Sequence, residues 1–159
     1  GQLLCGFQNL AGEIRGWPAP PGHTAGGDKN LEEIGSLSTI LAPYAGEENN
    51  MAAAWHRFRE KIDTNDGEAL EKLTGIATVH GQTAAFLAQL LNPEKIVLTG
   101  PLSEIGDFYL GQVKAASEAA VTGLPFSLPS IQLSKLGLYS GAVGATALAL
   151  QRWSPNIHG

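Results

Sequence analysis

Two carboxylates, Glu13 and Glu32, stand near the ends of an unusual Gly/Pro-rich stretch, NLAGEIRGWPAPPGHTAGGDKNLEEIGS, residues 9–36. A carboxylate held in place accepts several hydrogen bonds and suits recognition of a polyol such as a sugar. By chemistry alone a plainer reading prevails. Glu32 would be an acid in the first turn of a helix, favoured by the helix dipole, and Glu13 a solvated loop acid. His23 falls in the same stretch and is the histidine whose setting invites a test. His56 and His80 fall in helical stretches, where surface or packing roles are expected, and His158 is near the C-terminus. None has an i, i+4 histidine partner or an HExxH context, so no metal site is expected.

Two glycines are candidates for the backbone approach of a ligand. In IVLTGP, residues 96–101, Gly100 follows an apolar run at what would be the carboxyl end of a strand, the usual ligand side of an α/β sheet. In SGAVGATA, residues 140–147, Gly141 opens a helical stretch. Neither carries a GxGxxG or Walker pattern, so a tight strand–helix turn and a close helix–sheet contact are the plainer alternatives.

The elements that must position these residues are legible from periodicity. Gln2 to Phe7 reads as a strand or hairpin arm. From Asn30, a candidate N-cap, Leu31, Ile34, Leu37, Ile40 and Leu41 recur at helical spacing up to Pro43. Met51 to Ile62 reads as a charged helix. Asp66 caps a long one from about Gly67 to Leu91, with a broad apolar face through Leu70, Leu73, Ile76, Ala77, Ala84, Leu87, Leu90 and Leu91. Asn92-Pro93 ends it. Ile96-Val97-Leu98 reads as a strand buried on both faces. Ser103 or Asp107 starts a helix to about Ala120. FSLPSIQLS, residues 126–134, is a second short strand, its Pro129 marking an edge or a strand start. SGAVGATALALQRW is an Ala/Gly-rich helix suited to close packing. Strands alternating with helices indicate an α/β layered domain.

Composition narrows the function classes. The 159 residues suit one domain, and the 43% hydrophobic, 16% charged balance is that of a globular chain. A net charge of −5 gives no basic footprint for nucleic acid. Cys5 is the sole cysteine, which excludes an internal disulfide and a cysteine-cluster zinc site within one chain. No membrane span or signal pattern is present in the sequence, and a cytoplasmic location is expected. The chain opens without Met inside an apparent strand, so a fragment of a longer protein is expected.

The order GQLLCGFQNLAGEI, LEEIGS, LLNPEKIVLTGPLSEIGDFYL, LYSGAVGATALAL resembles the C-terminal half of the ROK family of repressors and sugar kinases. The resemblance covers nearly the whole chain. It implies the C-terminal lobe of an actin-like (ribonuclease H-like) fold, a mixed sheet with packed helices, as a single lobe over residues 1–159 of a two-lobed protein. It also implies sugar-facing roles for Glu13 and Glu32, with Ser36 in the family's usual serine position. The family pattern places a histidine where this chain has Gly16, and cysteines where it has GHTAGGDKNLE. The zinc of the family is therefore not expected, and residues 16–29 are expected to be mobile, shortened in path, or held by Pro and Gly turns alone. In the family's kinases the strand ends in Gly-Gly; here it ends in Thr99-Gly100.

The resemblance places the catalytic Asp and first phosphate loops of the kinases upstream of residue 1, so no catalytic residue is expected in this chain. The leading expectation is the effector-sensing, oligomerising lobe of a ROK transcriptional repressor. It would bind a sugar or sugar phosphate and touch DNA only through an N-terminal domain outside this chain. The alternative is the C-terminal half of an ATP-dependent sugar kinase, with nucleotide near Gly100 and Gly141 and ATP/Mg as its cofactors. Surface left bare by a missing lobe leads to an expected homodimer or larger species. No membrane partner is expected.

Overall fold

The computed structural model describes residues 3–20, 22 and 29–153. His23 and His158 lie outside the described residues. The chain forms helices α1 (Leu31–Gly35), α2 (Leu37–Leu41), α3 (Met51–Asp63) and α4 (Gly67–Leu91), then strand β1 (Lys95–Leu98). Helix α5 (Asp107–Ala120), strand β2 (Ser130–Leu133) and helix α6 (Ser140–Trp153) follow.

Helix α4 begins and ends where its capping chemistry dictates. The Asp66 side chain accepts from the Ala69 backbone N–H, and Asn92 closes the helix in the left-handed conformation, φ 44°. Its apolar face supplies Leu73, Ile76, Ala77 and Ala84 to a core completed by Leu41, Phe58 and Val113. Helix α5 lies along α4 as its main neighbour. Strands β1 and β2 pair in parallel, Lys95 opposite Ser130 through Leu98 opposite Leu133. A parallel pair requires a crossover, and α5 is that crossover. Pro129, which has no N–H to give, stands just before β2.

Three expectations are corrected. The helix expected from Asn30 to Pro43 is two helices, because Ser36 is extended (φ −82°, ψ 150°) and caps the second through its own hydroxyl. Residues 3–7 make no strand: Leu3, Leu4 and Phe7 are exposed, and the backbone bonds that reach them are turn bonds, from Asn9 to the Gly6 carbonyl and from Ala11 to the Cys5 carbonyl. Strand β1 is not buried on both faces, since among the described residues it has one neighbouring strand and Val97 is 44% exposed. Helix α6 forms as expected, but its described residues beyond Ser140 are exposed, so the close packing expected of it is not made.

Candidate functional site

The segment that precedes α1 is tied to it by backbone pairing. Glu32 donates its N–H to the Arg15 carbonyl at 3.0 Å, Leu31 to Trp17 at 2.9 Å, and Ala19 to Lys29 at 2.8 Å. Pro18 and Asn30 form an antiparallel bridge. The expectation that Pro and Gly turns alone would hold residues 16–29 therefore fails at both described ends, where main-chain hydrogen bonds close the loop. Its middle lies outside the described residues.

At the base of that loop a reciprocal capping box starts α1. The Asn30 side chain accepts from the Glu33 N–H at 3.0 Å, and the Glu33 carboxylate accepts from the Asn30 N–H at 2.8 Å. Glu33 is thereby spent on the helix start, which leaves Glu32, on the adjacent position, without a side-chain bond to the helix terminus.

Glu13 and Glu32, far apart in sequence, both line one cleft of about 360 Å³. The Gly12–Arg15 segment forms one wall, Leu31, Gly35 and Ser36 another, and Val79, His80 and Thr83 of α4 the floor. Both acids are exposed at the rim. Glu13 has a loose ion pair with Arg15 at 3.8 Å, with both side chains well exposed, so it is worth little and yields readily to a ligand. Ser36 lines the same cleft, and its hydroxyl bonds to Ser38 at 2.8 Å and Thr39 at 2.9 Å.

Sequence reading assigned His80 a surface or packing role. The structure gives it packing, with both ring nitrogens bonded. Nε2 lies 2.8 Å from the Gly35 carbonyl and Nδ1 2.7 Å from the Tyr109 hydroxyl. A carbonyl only accepts, so Nε2 carries the proton; Nδ1 then accepts from Tyr109. Burial pushes the His80 pKa below its ordinary 6.5, opposed by the bond to Gly35. Burial likewise raises that of Tyr109. The signal for His80 was a polar residue among Ile76, Ala77, Ala84 and Leu73, a face where an unpartnered imidazole would be costly.

These shifts give stability a pH dependence. The folded chain resists protonating His80, whereas the unfolded chain takes the proton near 6.5. Between the two values the unfolded state binds more protons, so stability is full above 6.5 and falls as pH drops below it. The urea midpoint is expected to decline from about pH 7 to about pH 5, and His80→Gln is expected to flatten that decline. Equal slopes in both proteins would remove His80 as the cause.

The nucleotide-side candidates lie elsewhere. Gly100 follows β1 with φ 95°, a conformation that glycine adopts without strain, and the space where a Cβ would stand is open. Gly141, in the first turn of α6, is also open. Neither lines the acid cleft. The 3₁₀ turn Pro101–Ile105 after Gly100 packs on the 3₁₀ turn Gly137–Tyr139 before Gly141, so the two glycines adjoin one region. A larger cleft of about 520 Å³ between the end of α5 and β2, lined by Lys114, Phe126 and Ile131 among others, contains none of the sequence-selected residues.

The zinc donor set does not fit. Gly16 offers no ligand, no cysteine follows it, and among the described residues no three His, Cys, Asp or Glu side chains could share a metal ion. No described helix is long and apolar enough to cross a membrane.

Solved structures define the fold. A ROK family glucokinase from Streptomyces griseus, solved with glucose and AMPPNP, superposes with a TM-score of 0.75 at 20% identity, over 94% of this chain and 55% of that one. A ROK hexokinase from Thermus thermophilus gives 0.71 at 19% identity, over 93% and 50%. The fold is thus that of the actin-like sugar kinases. In sequence, the ROK family pattern matches residues 2–152, and the chain belongs to the ROK family. It is 29% identical to a glucokinase of Halalkalibacterium halodurans across 96% of its own length, and spans 51% of that relative.

Proposed function

We propose that this chain is the sugar-holding half of a ROK sugar kinase, with a hexose bound in the cleft between Glu13 and Glu32. The observation that carries this reading is that two acids so distant in sequence share one cleft through the Glu32–Arg15 backbone bond. The glucokinase relative supports a sugar rather than another polyol. Rim carboxylates would accept from the hydroxyls, fixing which hydroxyl points out of the cleft; that orientation is how a binding residue contributes to rate. ATP with Mg, when bound, would supply the phosphoryl group, and Gly100 and Gly141 leave open backbone for its approach. In this proposal the general base and the first phosphate loops belong to the part of the relatives' length that this chain does not span.

A second reading keeps the same cleft in a sugar-sensing repressor lobe. Gly16, in the place of the family's histidine, and Thr99, in that of its first strand-end glycine, favour it. The deciding experiment is phosphorylation of glucose by the full-length protein with ATP. Turnover saturable in glucose supports the kinase. Saturable glucose binding without turnover, together with glucose-dependent DNA binding, would move the cleft to the sensor class. Absence of binding across a hexose panel, with folded protein, would overturn both.

A further inference from the structure

The His80 bonds link three helices, of which α4 and α5 also pack directly on one another while the short α1 lies at their side. Gly35 ends α1, the helix that carries Glu32; His80 is mid-way along α4; Tyr109 is in the first turn of α5. Helix α1 is only five residues long, too short to hold itself in place by its own hydrogen bonds. Its position depends on what it is bonded to. At its start it is held by the Asn30 capping box and the Arg15 carbonyl. At its end two side-chain bonds hold it, one from the Thr39 hydroxyl of α2 to the Glu33 carbonyl at 3.1 Å and one from His80 of α4 to the Gly35 carbonyl, the only one of the two that reaches α4.

We propose that His80 is a positioning residue of the acid cleft, fixing the end of the Glu32 helix against α4 through Gly35 and held in its working tautomer by the Tyr109 hydroxyl. This rests on the sugar-cleft reading above. Tyr109 is 4% exposed, packs edge-on to the imidazole with ring centroids 6.1 Å apart, and does not line the cleft. It therefore influences a bound sugar only at one remove. Its donation to Nδ1 forces the proton onto Nε2, which must donate because the Gly35 carbonyl cannot. The charged groups on the packed elements are Glu32 and Glu33 on α1, Glu13 and Arg15 on the paired segment, Asp107, Lys114 and Glu118 on α5, and Glu68, Glu71 and Lys72 on α4 itself. None of them bonds the imidazole; its two partners are the carbonyl and the phenol.

The arrangement also has a direction. Tyr109 follows the Gly100 turn through the 3₁₀ segment Pro101–Ile105 and Gly106. A shift of that turn reaches the sugar side through two hydrogen bonds rather than through a long packed path. Tyr109→Phe keeps the ring and removes the donor, so it separates the relay from packing.

The test compares wild type, Tyr109→Phe and His80→Gln in the full-length protein, with glucose as the probe. Tyr109→Phe is expected to weaken glucose binding about fivefold, the loss of one neutral hydrogen bond. If turnover is present, KM should rise with kcat little changed. It is also expected to move the acid limb of glucose affinity to higher pH, because the neutral imidazole loses its donor; His80→Gln should abolish that limb. A general loss of packing would not shift a pH profile. Amide exchange of residues 31–36 is measured alongside, without sugar, and is expected to quicken in both variants. Unchanged exchange there in both variants overturns the proposal, whatever the sugar does. Faster exchange with unaltered glucose affinity and pH profile overturns the positioning role. If wild type binds no hexose while exchange quickens in both variants, the sugar reading fails and the helix-fixing role of His80 is supported.

Discussion

Glu32→Gln is expected to lower the glucose affinity of the full-length protein about a hundredfold, with its unfolding midpoint little changed. The size follows from what the substitution removes. A carboxylate accepting two sugar hydroxyls makes two charge-assisted hydrogen bonds, each worth about 1.5–3 kcal/mol. The amide keeps one acceptor and presents two donors where the sugar also donates, so one bond is lost and the other weakened. About 2.7 kcal/mol, or a hundredfold, is the result. Stability is expected to hold because Glu32 is exposed and does not join the capping box, which uses Glu33. Glu13→Gln should cost less, about tenfold. Its carboxylate already shares a loose pair with Arg15 and is carried by a turn rather than a capped helix. Glu71→Gln, an exposed acid of α4 outside the cleft, is the charge-matched control. Titration calorimetry reads all three. Equal affinities for Glu32→Gln and Glu71→Gln would remove the acid pair from sugar recognition.

The ease with which each part of the molecule was read follows the range of the interactions that fix it. Helix α4 was legible to the residue because its limits are local, an Asp66 cap at one end and Asn92-Pro93 at the other. The break at Ser36 was hidden because apolar periodicity runs straight through it, Leu31 and Ile34 continuing into Leu37 and Ile40. The hydroxyl that caps α2 looks, in sequence, like any helical serine. Strand β1 was recognised as a strand, but its burial was not. Three apolar residues in a row say that a strand can be covered on both faces, not that it has two neighbours. That the two acids meet at one cleft was legible only through the family resemblance, since chemistry alone favoured the solvated reading. The packing role of His80 was open to sequence reading, but its partners were not, for the opposite reason to α4: they are 29 and 45 positions away. No window of the sequence contains them. A buried polar side chain declares that it needs partners without naming them.

Gly81→Ala is expected to destabilise the protein by about 3 kcal/mol, against a general expectation of gain for Gly→Ala within a helix. The reason is the crossing of α4 and α5. A Cβ on Gly81 would press into the Val113 carbonyl oxygen, stand 2.6 Å from the Ala116 Cβ, and come within 3.1 Å of the Ser117 nitrogen. Two of these three are backbone atoms, which cannot rotate away. The two helices must separate instead, and with them goes the fully buried Ser117, whose hydroxyl lies 2.8 Å from the Gly81 carbonyl and 2.9 Å from that of Val113. Separation therefore costs packing and a buried hydrogen bond together. Gly75→Ala, on the same helix but exposed with nothing within 4 Å, is the matched control. It should stabilise by about 0.5–1 kcal/mol, because only the helix propensity changes. Urea unfolding of the two variants against wild type gives opposite shifts if the crossing is as tight as drawn. Because His80 is the neighbour of Gly81 and Tyr109 is on the helix pushed away, Gly81→Ala should also loosen Leu31–Gly35 and weaken glucose binding. A Gly81→Ala protein as stable as Gly75→Ala would mean that α4 and α5 do not approach this closely, and the His80–Tyr109 bond that depends on that approach would fall with it.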